Sequence, residues 1–141
     1  MGEGKRNVVA GLIVLVGFMA FGFLLIYLRD FAPDKAEWVA SYGVGKHFES
    51  RLAHAHGNLF ALLNIVYGVL LTRLELPERR ARAISWLAVA GLLMPIGILA
   101  EVTFGAPPVF VLLGGVAMLA ATLWLGVAAL GVTTTPRAPR A

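Results

Sequence analysis

The side chains best suited to chemistry are gathered in the stretch Arg51-Leu52-Ala53-His54-Ala55-His56-Gly57-Asn58, followed by Asn64 and Tyr67. One carboxylate, Glu101, stands apart from them in a later apolar run. Neutral imidazole ligates haem iron and transition metals well. A haem needs one axial histidine, an apolar slot and cations for its propionates. His56 or His54 can supply the first, and Phe60, Leu63 and Phe104 the slot. Arg51, Lys46 or His47 can meet the propionates, while Asn58 and Asn64 offer amides beside the cofactor. Alternatively His54 or His56 with Glu101 can hold Zn or Fe, because His/Glu sets with an open position are catalytic. Histidines two apart lie about 200° around a helix, so one of them, rather than both, is expected to ligate. Gly57 beside His56 leaves room for a planar group and favours His56. A third reading is a proton relay through His and Glu. The plainer readings are interfacial histidines, a Glu101 that snorkels outward, and asparagines that join helices at about 0.6 kcal/mol each.

These residues must be positioned by membrane helices. The 141-residue chain is 59% hydrophobic and 14% charged, with a mean hydropathy of +0.81. Disordered chains are poor in apolar residues and rich in charge, so disorder is excluded. A soluble domain this small needs more polar surface. Cysteine is absent, which removes disulfides, iron–sulfur clusters and thiolate chemistry. Four apolar runs, at 8–28, 52–72, 83–104 and 109–132, are each long enough to cross about 30 Å of hydrocarbon as a helix. Barrel strands need only 9–11 alternating residues. The expected fold is therefore an all-α, integral-membrane four-helix bundle, a single domain over 1–141. The first run is too long for a signal-peptide core and no small-residue cleavage pattern follows it. It is expected to be retained.

The connections 73–82 and 105–108 are short, so neighbouring spans run antiparallel. Pro77 suits a helix start with Glu78 in its first turn, Gly105 a helix end, and Pro108 the start of the fourth span. The outer connection, 29–51, is long. Asp34 and Glu37 have capping-box spacing ahead of a short helix that Gly43 is expected to end, with Trp38 and Tyr42 on one face at headgroup level. Pro95 is expected to kink the third span, with Gly91 and Gly97 allowing close approach. Gly57, Gly68, Gly114, Gly115, Ala117 and Ala121 read as packing positions, and Phe18, Phe21 and Phe23 as lipid-facing or core. The tail, 133–141, is expected to fray.

Two stripes divide the second span. His47, Arg51, His54 and Asn58 share one face; His56, Phe60, Asn64 and Tyr67 share the other. Asn64 lies about 12 Å below His56 and needs partners across the bundle. Lys5, Arg6, Arg73, Arg79, Arg80, Arg82, Arg137 and Arg140 fall on one side of the membrane. Arg29, Lys35, Lys46 and Arg51 fall on the other, among Asp30, Asp34, Glu37 and Glu49. The positive-inside rule then places both termini in the cytoplasm of a multi-pass inner (plasma) membrane protein. Glu101 shares the outer leaflet with the histidines. The basic balance reflects orientation in a lipid bilayer, and no nucleic acid is expected as a partner.

The long outer connection with Trp38, then Arg51, His54, His56, Gly57 and the asparagines of the second span, within four short spans, resembles the styrene oxide isomerases. These are small four-span bacterial membrane enzymes that isomerise aryl epoxides to aldehydes. The motif covers 38–64, and the architecture covers the whole chain. The resemblance implies a homo-oligomer, a trimer, with haem b at subunit interfaces. Its iron would be a Lewis acid held by a histidine near the start of the second span. The family's Ala-His-x-Gly stands here as Ala55-His56-Gly57, one residue shorter. The acidic and tyrosine groups of its third span have no counterpart among Ala90, Gly91, Pro95 and Leu99. Haem binding therefore carries over more readily than isomerisation. The competing class is a non-enzymatic bundle, a partner subunit or small transport component whose polar residues are structural.

Overall fold

The computed structural model describes residues 2–131, and its regular elements are all α-helices: α1 (Glu3–Asp30), α2 (Lys35–Ala40), α3 (Gly45–Arg73), α4 (Glu78–Gly91), α5 (Leu93–Phe104) and α6 (Val109–Leu130). The tail at 133–141 lies outside the described residues. Four helical stretches are long and apolar enough to cross a membrane: α1, α3, α4 with α5, and α6. The chain is an all-α four-span membrane bundle. Outward faces carry large apolar side chains such as Ile13, Val16 and Phe23 on α1 and Leu112, Val116 and Leu119 on α6. In water such faces are a liability, whereas lipid tails solvate them.

The first two apolar runs sit inside longer helices, whereas the third is divided between α4 and α5 and the helix of the fourth ends at Leu130. The second run starts at residue 52, but α3 begins at Gly45 and has 29 residues. At 1.5 Å per residue that is about 43 Å, so its polar first turns reach past about 30 Å of hydrocarbon. His47, Ser50 and Arg51 are thereby helical.

The short helix of the outer connection differs from expectation. Asp34 does stand at its N-cap, but the side chain makes no capping bond. The helix stops at Ala40, before Gly43, and the Ser41 hydroxyl donates to the Trp38 carbonyl at 2.9 Å.

The spans pack antiparallel. α1 lies along α3, with Gly4 opposite Gly68, Gly11 opposite Ala61, Phe18 on Gly57 and Gly22 opposite His54. A Cβ on Gly68 would fall 2.5 Å from the Gly4 carbonyl oxygen, and one on Gly11 would fall 2.6 Å from that of Ala61. Only glycine allows the two backbones so close. α4 and α5 pack on both α3 and α6, and α4 also touches α1. One end of the bundle therefore carries the α2 connection and the 105–108 turn, here the loop face. The other carries the start of α1 and the 74–77 turn, here the terminal face.

The third span breaks as its proline requires. Pro95 has no N–H and its ring excludes the carbonyl four residues back, so α4 ends at Gly91 and α5 starts at Leu93. Gly91 meets Met118 and Gly97 meets Phe110 and Val111, so the expected close approach is to α6. Gly105 ends α5 in the left-handed conformation at φ 68°, and Pro108 precedes α6. Of the expected packing positions, Gly57, Gly68, Gly114 and Ala121 are buried, and Gly115 and Ala117 partly so. The larger core gathers Phe60, Tyr67, Ile84, Ala88, Met118 and Leu125; a smaller one joins Phe18, Ala53 and Ile98.

Candidate functional site

All three imidazoles are held the same way. His47 Nδ1 lies 2.6 Å from the Trp38 carbonyl oxygen, His54 Nδ1 2.9 Å from that of Phe18, and His56 Nδ1 2.9 Å from that of Leu52. A carbonyl only accepts, so each Nδ1 donates, and in the neutral ring that leaves Nε2 as the acceptor. This is the tautomer and the kind of support that metal-ligating histidines have. Their surroundings then separate them.

His47 is buried in a clamp at the loop face. It stacks on Trp38 at 4.4 Å and takes the edge of Tyr42 at 5.3 Å between ring centroids. Arg51 places its guanidinium 3.6 Å from the centre of the Tyr42 ring and donates to the Tyr42 carbonyl at 3.3 Å. Trp38 and Tyr42 do share a face, and that face closes on His47. His47 and Arg51 thus fasten α2 to the first turns of α3.

His54 lies between helices. Its bond to Phe18 joins α3 to α1, and a Cβ on Gly22 would fall 2.7 Å from its Cε1. Asn58 donates to the His54 carbonyl at 2.8 Å, with its amide nitrogen 3.4 Å from His54 Nε2.

His56 faces the other way. Its partner Leu52 is on its own helix, one turn back, and its ring stands edge-on to Phe60 at 6.0 Å. It is half-buried, and its Nε2 has no hydrogen-bond partner among the described residues. Leu52, Leu59 and Leu63 flank it at helical spacing, all partly or fully exposed. His56 therefore sits at the edge between the core, at Phe60, and an apolar strip that includes the exposed Leu59.

The room expected beside Gly57 is taken, because the ring of Phe18 packs flat against that glycine. Phe60 belongs to the core, and Phe104 is 87% exposed at the end of α5. Phe18 thus fills the space between α1 and α3 at Gly57. Glu101 is exposed and makes no ion pair among the described residues. Among the described residues, no three histidine, cysteine or acidic side chains form a metal-binding set.

Asn64 lies elsewhere, in a polar network towards the terminal face. Asn7, Asn64 and Ser85 have no exposed surface. Asn7 donates to Asn64 Oδ1 at 2.9 Å and to the Ser85 carbonyl at 3.2 Å. Asn64 donates to the carbonyls of Phe60 at 3.0 Å and Ala88 at 2.9 Å. The Ser85 hydroxyl donates to Asn7 Oδ1, and Arg6 donates to Ser85 Oγ at 2.8 Å from Nη2. Arg6 and Arg82 share Glu3, Arg82 also pairs with Glu78, and Arg6 covers the Trp86 ring at 4.1 Å. The expectation that Asn64 needs partners across the bundle holds. Both Asn64 amide protons are used within the protein. Asn7 and Ser85 escaped sequence reading because Asn7 precedes the first apolar run and a lone serine in a span is unremarked.

No family model, curated protein or solved structure matches this chain.

Proposed function

We propose that this chain is a small membrane protein that binds haem b through His56 Nε2, between copies of itself, and acts on a small apolar substrate arriving from the bilayer. The observation that carries the reading is the His56 ring: its Nδ1–H is fixed on Leu52, its Nε2 has no partner among the described residues, and it sits half-buried between the core ring of Phe60 and the exposed Leu59. The residues fit an axial ligand with an oriented imidazole. Phe18 fills the only cleft that Gly57 would have offered within one chain, which favours a site completed by a second copy. The trimer implied by the styrene oxide isomerase resemblance is the corresponding assembly. Lys46, exposed and outside any ion pair among the described residues, can meet an anionic group at the loop face, whereas Arg51 and His47 are committed to Tyr42 and Trp38. When bound, haem iron supplies a Lewis-acid centre for an oxygen-bearing apolar substrate such as an epoxide. The protein's part is to orient the imidazole and exclude water. Both termini would lie in the cytoplasm and the loop face outside.

Expression with ample haem, followed by purification and absorption spectroscopy, tests the reading. Wild type should show a Soret band and His56→Ala should lose it. His54→Ala should keep the band and melt at a lower temperature. A colourless wild type, or an undiminished band in His56→Ala, would overturn the proposal and favour a non-enzymatic bundle.

A further inference from the structure

At the terminal face, the turn after α3 and the last turns of α6 enclose a cleft of about 490 Å³. Glu75, Leu76 and Arg80 line one side, and Trp124, Val127 and Ala128 the other. Glu75 and Arg80 carry opposite charges into one cleft, yet neither forms an ion pair among the described residues. Nearby Glu3, Arg6, Glu78 and Arg82 are all paired. The apolar wall belongs to the outward face of α6, where Trp124 is 40% and Val127 59% exposed. The cleft is therefore open to lipid along one side and polar at its mouth. It sits at the end of the spans, where headgroups lie and where tryptophans collect.

We infer that this cleft binds a phospholipid with a primary-amine headgroup. Its phosphate accepts from the Arg80 guanidinium, its ammonium donates to the Glu75 carboxylate, and an acyl chain lies along Trp124, Val127 and Ala128. Arg presents a planar fork suited to phosphate oxygens. A carboxylate beside it selects a headgroup that brings its own cation able to donate hydrogen bonds. A choline headgroup has the charge but no N–H. An anionic glycerol headgroup has neither and would face Glu75 uncompensated. The site shares no residue with the His56 strip and does not depend on haem.

Native mass spectrometry and thermal melting of the detergent-purified protein test it. The probes are phosphatidylethanolamine, phosphatidylcholine and phosphatidylglycerol with identical acyl chains. The ethanolamine lipid should persist as a one-to-one adduct, raise the melting temperature most, and bind about tenfold more tightly than the choline lipid. Glu75→Gln should abolish that preference and let the glycerol lipid bind at least as well. Arg80→Gln should weaken all three. Both residues are exposed, so the lipid-free variants should melt like wild type. Equal stabilisation by the three lipids in wild type, or an unchanged ethanolamine preference in Glu75→Gln, would overturn the inference.

Discussion

Asn7 of α1 and Asn64 of α3 meet amide to amide at 2.9 Å with no exposed surface on either residue. The bond pins the first two spans at one register and, through Ser85 and Ala88, ties both to α4. Replacing Asn64 with Leu removes the acceptor and both donors, and should cost about 1–2 kcal/mol. Asn58→Leu should cost a few tenths, because Asn58 bonds only within its own turn. Reversible unfolding in detergent compares them, and equal losses would refute the network's importance.

Two identical substitutions should act in opposite directions. Gly68→Ala puts a methyl against the Gly4 carbonyl and the start of Val8, so α1 must shift, at about 1–3 kcal/mol. Gly126 has nothing within 4 Å of its Cβ position, so Gly126→Ala should gain about 0.5–1 kcal/mol from helix propensity alone. Melting temperatures of the two variants decide it.

His54 and Gly22 should behave as a coupled pair. Gly22→Ala collides with the imidazole, and His54→Ala leaves a gap beside Gly22. The double variant should lose less stability than the two single losses added, by about 0.5–3 kcal/mol. Strict additivity would show that the ring does not pack on Gly22.

Glu101→Gln and Glu101→Ala should both melt like wild type. A carboxylate that faces out of the bundle without an ion-pair partner among the described residues locks nothing in place. A larger loss in Glu101→Ala than in Glu101→Gln would mean that it holds α5 through a hydrogen bond.

Reporter fusions after Tyr42 should read external, and fusions after Arg79 cytoplasmic, if the positive-inside rule sets the orientation. A cytoplasmic reading after Tyr42 would turn the His56 strip and the lipid cleft to opposite leaflets from those proposed.

The spans were legible because a long charge-free run in lipid can only satisfy its backbone as a helix. Pro95 announced its break, since a missing N–H is a property of the residue itself. The opposed directions of His54 and His56 followed from helical geometry. The partners did not. Asn7 reads as a polar flank until the register between α1 and α3 is known, and that register is set by pairs such as Gly4 and Gly68 across the interface. Gly57 misled because an absent side chain looks like space. Interiors are close-packed, and a glycine on one helix is where a ring from the next one goes. Asp34 and Glu37 have the spacing of a capping box, but spacing alone does not orient a carboxylate.

The break at Leu92 divides the third span into two rods with separate duties. The half ending at Gly91 carries Ser85 and Ala88, and so belongs to the welded inner frame with α1 and α3. The half beginning at Leu93 rests on α3 and α6 and, among the described residues, makes no side-chain hydrogen bond to another span. A change in its tilt breaks no amide bond. The third span is accordingly tied by side-chain bonds in one leaflet and by close packing in the other, where His54 makes the polar tie between α1 and α3.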